Sequence, residues 1–92
     1  MSLIKILGPY KEVYTNFYER SFIYGPDYYR GYIFYTNKHY YTAVWFNNQN
    51  KREEKSGLTW SEAAFWLDEK LKSNGFRLID SEEELKKLKI LL

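Results

Sequence analysis

Acid-base and metal chemistry near neutral pH draws on histidine and cysteine, and this chain supplies one histidine, His39, and no cysteine. A two-histidine or cysteine-histidine metal site within one chain is therefore excluded, as are disulfides and a cysteine nucleophile. No HExxH, Walker or dinucleotide-binding pattern occurs, and the glycines at 8, 25, 31, 57 and 75 are isolated, so no glycine-rich loop can cradle a phosphate. One arrangement is left. Metal-independent ribonuclease chemistry on a small sheet can be run by a histidine with a tyrosine and an arginine, here His39, Tyr41 and Arg30. Against it, His39 falls at the end of a hairpin pattern, where a histidine is ordinarily an exposed turn residue. The carboxylates Glu53-Glu54, Asp68-Glu69 and Glu82 to Glu84 read as a solvated loop, a helix face and a helix N-terminus. The expectation is a protein that is not an enzyme, with no catalytic residue, cofactor or metal.

What the chain has in quantity is aromatic surface. Residues 28 to 46 read "YYRGYIFYTNKHYYTAVWF", and all ten tyrosines lie between Tyr10 and Tyr41. A tyrosine keeps a polar tip that a core does not need, so the segment suits a binding surface as well as a core. With 45% hydrophobic residues and a net charge of only +2, the chain has enough apolar matter to fold, and 92 residues make a single domain, 1-92. The charge divides unevenly: residues 1 to 50 carry five basic and three acidic groups, and 51 to 92 carry nine of each. Neither half is the basic block of a dedicated nucleic-acid binder. "MSLIKIL" is too short for a secretory signal and no apolar run reaches the length of a membrane span, so the expected location is cytoplasmic, away from membranes.

The elements that must position these residues follow from pattern. "LIKIL" (3 to 7) suits a short strand ended by Gly8-Pro9. Tyr10, Val13, Tyr14, Phe17 and Tyr18 fall at i, i+3, i+4, i+7 and i+8, which predicts a helix over 10 to 18, although Val, Tyr, Thr and Phe are strand formers. Three strands follow, at 20 to 24, 29 to 36 and 39 to 47, with a turn at Gly25-Pro26-Asp27 and a hairpin at Asn37-Lys38. "NNQNKREEKSG" (47 to 57) has no apolar residue and reads as a solvated loop. Thr59 with Glu62 forms a capping box opening a helix to residue 73, with Leu58 as staple and Asn74-Gly75 as exit. "FRLI" (76 to 79) is a short strand, and Ser81 with Glu84 caps a last helix whose stripe is Leu85, Leu88 and Leu92. The fold class is thus α+β: a three-stranded antiparallel meander, extended by short N- and C-terminal strands, against two or three helices.

A two-residue turn at Asn37-Lys38 places Arg30, Tyr32, Phe34, Thr36, His39, Tyr41, Ala43 and Trp45 on one face of the hairpin. Tyr29, Gly31, Ile33, Tyr35, Tyr40, Thr42, Val44 and Phe46 occupy the other, which carries the β-branched aliphatics and is the expected core face. Arg30 beside Trp45 suits a cation-π contact. On the 59 to 73 helix, Trp60, Ala63, Ala64, Leu67 and Leu71 form the docking stripe, with Trp66 on its flank and Phe65 pointing away from it.

Rigid aromatics with few charges are the composition of interface anchors. The leading expectation is a non-catalytic module (adaptor, inhibitor or self-associating protein) that binds a protein partner, or its own copy as a homodimer, through Arg30, Tyr32, Tyr41, Trp45 and Phe65. The second is nucleic-acid binding by Arg30, Lys38, Lys51, Arg52 and Lys55 with stacking aromatics. The order helix, three strands, helix, with "GPD" between the first two strands and "KREEK" before the second helix, resembles the layout of double-stranded RNA-binding domains. That family places adjacent lysines at the start of its second helix to grip phosphates, whereas this chain reads "TWSEAAF", where Glu62 would repel them.

Overall fold

The structure is a computed structural model that describes residues 4–25, 30–37 and 39–91, with side chains through residue 88. Pro26, Asp27, Tyr29, Lys38 and Leu92, which figure in the expectations above, lie outside the described residues. The chain folds as β1 (Lys5–Tyr14), β2 (Phe17–Tyr24), β3 (Gly31–Asn37), β4 (Tyr40–Phe46), β5 (Arg52–Leu58), α1 (Trp60–Ser73), β6 (Phe76–Leu78) and α2 (Glu82–Leu91). The strands form one curled, mixed sheet in the order β5-β4-β3-β2-β1-β6, antiparallel except where β6 runs parallel to β1. The α+β class and the β2-β3-β4 meander agree with the sequence pattern. The sheet has twice the strands of that meander.

In place of a helix over 10 to 18 stands the β1-β2 hairpin, with Tyr14 paired to Phe17 across Thr15-Asn16 and Asn16 at φ 59°. The helical stripe had a real cause, since Tyr10 and Tyr18 do share a face: both meet Trp60 edge-on, at 5.2 and 5.0 Å. They share it across two strands, and the β-branched and aromatic residues between them prefer extended backbone. With strand there, the layout resembling a double-stranded RNA-binding domain is gone. Gly8-Pro9 does not end β1 either; the strand carries on through an irregular register between Leu7 and Tyr10.

The "KREEKSG" stretch is a strand, not a loop. A tight turn precedes it, in which Asn47 Oδ1 accepts from the N–H groups of Gln49 and Lys51 and Asn50 sits at φ 62°. Before Leu58, β5 carries no apolar side chain because it is the edge of the sheet, where charge discourages unwanted strand pairing. Gly57, at φ 72°, takes the left-handed conformation that the register shift between Lys55 and Leu58 requires.

α1 forms as its caps dictate. Thr59 Oγ1 accepts from the Glu62 N–H at 3.3 Å, and the Glu62 carboxylate accepts from the Thr59 N–H at 2.9 Å. Gly75 at φ 88° supplies the exit. The helix lies on one face of the sheet and buries Ala63, Leu67 and Leu71 against Leu7, Ile33, Ala43, Trp45, Leu58 and Phe76. Leu67 seats directly over Gly31, where a Cβ would collide with Leu67 Cδ1 and lie 2.7 Å from the Val44 carbonyl. α2 begins where Glu84 N–H meets Ser81 Oγ at 3.4 Å, and an Arg77–Glu84 ion pair at 3.7 Å ties it to β6.

Candidate functional site

The β3-β4 hairpin decides which aromatics are available. Tyr35 pairs with Tyr41 and Asn37 with Tyr40, so His39 lies in the turn, one residue later than expected, and Thr36 is an extra residue in β3. His39, at φ 72°, supplies the left-handed position expected of Asn37. The one-residue shift reverses β4 relative to β3. Ile33 and Tyr35 face α1 as expected, but their companions are Tyr41, Ala43 and Trp45, while Thr42, Val44 and Phe46 lie opposite with Tyr32 and Phe34. Trp45 is 2% exposed, and Tyr41 packs edge-on against Trp60 at 5.4 Å. Trp45 belongs to the core and half-buried Tyr41 packs against it, so Tyr32, Tyr41 and Trp45 do not share one hairpin face as expected. Arg30 donates to the Asn47 carbonyl at 2.8 Å.

The sheet face away from α1 carries a run of rings. Phe17 stacks on Tyr32 at 4.6 Å, and Tyr32 leans toward Phe34 and Phe46 at 6.1 and 6.3 Å. These half-buried rings roof Val44 and Thr42, both buried, so the cluster shields itself. Arg52 lies at its margin and is ion-paired to Glu54 at 2.9 Å. That bond, with the nearby Tyr32 hydroxyl, holds the guanidinium pKa above its ordinary value.

A groove of about 450 Å³ opens on the other side, between α1 and β5. Leu58 forms its floor, Phe65 and Trp66 its aromatic wall, and Lys55, Glu62, Glu69 and Lys70 its rim. Phe65 is 68% exposed, the one large apolar side chain of α1 that the sheet leaves in water. Trp66 is half-buried under Lys70, whose Nζ stands 5.2 Å from the ring centre and 3.3 Å from a Glu53 carboxylate oxygen. Hydrogen bonds from Thr59 hold the Glu62 carboxyl below the ordinary carboxylate range. The rim is therefore charged, balanced and already largely paired, around an apolar floor.

The other expected residues do not converge. Arg30 precedes β3 and His39 follows it, so seven residues of strand, about 23 Å, separate two members of the ribonuclease trio, and half-buried Tyr41 packs against the core under Trp60. Of the basic set, Arg52 lies on the ring-bearing side, Lys55 lines the groove and Lys51 sits in the turn between β4 and β5. Among the described residues, no group of three or more His, Cys, Asp or Glu is placed to hold a metal ion, and no helix is long and apolar enough to cross a membrane.

Arg20 escaped the sequence reading. It is 3% exposed, donates through Nε and Nη2 to both oxygens of Asp68 at 2.9 Å, through Nη1 to Asp80 and the Gly8 carbonyl at 2.9 Å, and lies over the Tyr10 ring at 4.5 Å. Burial alone would lower its pKa; the bonds to Asp68 and Asp80 outweigh that and raise it. Tyr10 Oη donates to Asp68 Oδ1 at 2.7 Å. This is a structural tie between β1, β2, α1 and the β6-α2 connection. The signal was in "FYERSFIY", whose alternation puts Arg20 on the face of Tyr18. Compared with protein-family models, with curated proteins and with solved structures, the chain matches none.

Proposed function

We propose that this chain is a small non-catalytic binding module that engages a protein partner through the groove between α1 and β5, with Phe65 as its anchor. The observation that carries the reading is the 68% exposure of Phe65 at the wall of an apolar groove with a charged rim. An aromatic anchor surrounded by polar rim groups is the anatomy of an interface hot spot. Tyr32 belongs to a ring cluster that covers its own centre, Trp45 is in the core and Tyr41 packs against it, so Phe65 is the member of the expected set that lacks a structural explanation. Nucleic-acid binding is the weaker reading, because Arg52 and Lys55 lie on opposite sides of β5 and acidic side chains flank both.

The test is a displayed peptide library panned on the wild-type protein, with binders re-measured on Phe65→Ser and Tyr32→Ser. The expected result is binders that Phe65→Ser weakens by about thirtyfold or more, the equivalent of a hot-spot loss, and that Tyr32→Ser leaves intact. Binders indifferent to Phe65→Ser would refute the groove. Steeply salt-dependent binding of a mixed RNA and DNA pool, reduced by Lys51→Ala and Arg52→Ala, would favour the nucleic-acid reading instead.

A further inference from the structure

We infer that the occupant of the α1-β5 groove is a second copy of this chain, joined by antiparallel pairing of β5 with its own two-fold mate; the inference rests on the groove reading above. β5 is a terminal strand of the sheet. The Phe46 N–H donates to the Arg30 carbonyl and the Asn47 N–H to the Lys51 carbonyl. Even-numbered residues of β4 therefore turn their main-chain groups to β3, and odd-numbered ones to β5. Across the ladder that pairs Trp45 with Glu53 and Ala43 with Lys55, the odd residues of β5 bond inward, and the N–H and C=O of Arg52 and Glu54 point outward.

An incoming antiparallel strand must set its own outward residues opposite these. For a two-fold pair centred within 53–55, that allows Glu53, Glu54 or Lys55 to lie opposite itself and forbids the registers between. Glu53 or Lys55 on the axis sets like charges face to face on the groove side. Glu54 on the axis instead sets Glu53 of each copy opposite Lys55 of the other, twice, while each Glu54 stays bound to its own Arg52 at 2.9 Å. Lys55 makes no ion pair within 4 Å among the described residues, though its charge is felt by Glu62 across the groove, so its ammonium can turn to a closer carboxylate. The two Glu54 carboxylates then face each other on the ring-bearing side, each neutralised by its own Arg52, and on the groove side, where a charged edge strand ordinarily repels another, the charges match.

The same two-fold covers Phe65. α1 lies chiefly over β4, so an axis at β5 brings the second α1 onto the same face of the joined sheet about three strand spacings away, ~14 Å. Helices about 10 Å across leave a gap of side-chain width between them. Phe65 and Trp66 line the flank of α1 that meets this gap. One symmetry operation thus accounts for the unpaired edge and the exposed phenyl together, in an isologous interface.

Sedimentation equilibrium on the full chain over a concentration series tests this, with Glu53→Lys and Lys55→Glu made separately. Wild type should dimerise. Each variant alone should dimerise about tenfold or more weakly, because its positions 53 and 55 then carry the same charge. An equimolar mixture should recover the affinity, because positions 53 and 55 of one variant, both basic, then face positions 55 and 53 of the other, both acidic. Circular dichroism melts of each variant separate lost pairing from lost folding; should Glu53→Lys unfold by losing its bond to Lys70, Phe65→Ser serves in its place and should also dissociate the dimer. A monomeric wild type, or a dimer unmoved by the charge changes, overturns the inference. A monomer that still yields Phe65-dependent peptide binders overturns it and leaves the binding-module reading standing; a monomer with no such binders ends both.

Discussion

Replacing Asp68 by alanine should be among the most destabilising single changes in this protein. Asp68 holds Arg20 through two hydrogen bonds at 2.9 Å, and the Arg20 side chain is 2% exposed against 19% for Asp68. Removing one partner of a buried pair costs about 3–5 kcal/mol when the remaining charge is uncompensated; here Asp80 and the Gly8 carbonyl still meet Arg20, which puts the loss at the lower end. The Tyr10 hydroxyl loses its acceptor in the same stroke. Asp80 bonds the same guanidinium, but its side chain is 68% exposed, so solvent screening holds the cost of Asp80→Ala to about 1 kcal/mol or less. For a domain of this size, a loss of about 3 kcal/mol lowers Tm by roughly 12–24 °C. The assay is urea unfolding followed by circular dichroism on Asp68→Ala, Asp80→Ala and the pair Arg20→Met with Asp68→Ala. The double variant removes the stranded charge and should be more stable than Asp68→Ala alone. Equal losses for Asp68→Ala and Asp80→Ala, or a double variant less stable than Asp68→Ala, would refute the assignment of Arg20 as a buried charge dependent on Asp68.

Gly31→Ala should cost about 1–3 kcal/mol in the same assay, because the new methyl meets Leu67 and the Val44 carbonyl with no room to move; a neutral effect would mean that α1 does not sit on β3 as described. The capping box predicts a pH dependence. The folded Glu62 carboxyl titrates below its ordinary 4.5 because it accepts from Thr59, so its contribution is present above that value and is lost as pH falls through the folded pKa. Glu62→Gln should flatten that acid limb, seen in melts from about pH 6 down to about 3, where the carboxylates titrate. Thr59→Ala, which removes the other half of the box, should cost about 1 kcal/mol at neutral pH.

Which parts of this fold could be read from sequence follows from where the information is local. α1 was legible because Thr59, Glu62 and Gly75 state its ends and Trp60, Ala63, Leu67 and Leu71 its buried face. Phe65 was legible for the same reason, as the aromatic outside the stripe. The β3-β4 hairpin was legible as a hairpin, but its register depended on a single extra residue at Thr36, which no propensity announces and which turned Trp45 and Tyr41 to the α1 side. The β1-β2 hairpin was hidden because two strands that bring Tyr10 and Tyr18 onto Trp60 leave the same spacing as a helix. β5 was hidden because an edge strand written in charges looks like a loop. The groove depended on that strand, so only its α1 wall was foreseeable.

The parallel pairing of Lys5 to Leu7 with Phe76 to Leu78 sets the order in which the molecule can be finished. The antiparallel neighbours β1 to β5 can form from consecutive segments of chain, but β1 keeps an open edge until β6 has been made and α1 has carried it back across the sheet. Closing that long loop is the slow, entropically expensive step. During synthesis, the outer edge of β1 at Lys5 to Leu7 therefore waits unpaired until β6 has emerged. That interval is when mispairing with another nascent copy has its opportunity, and α1 docking is what ends it.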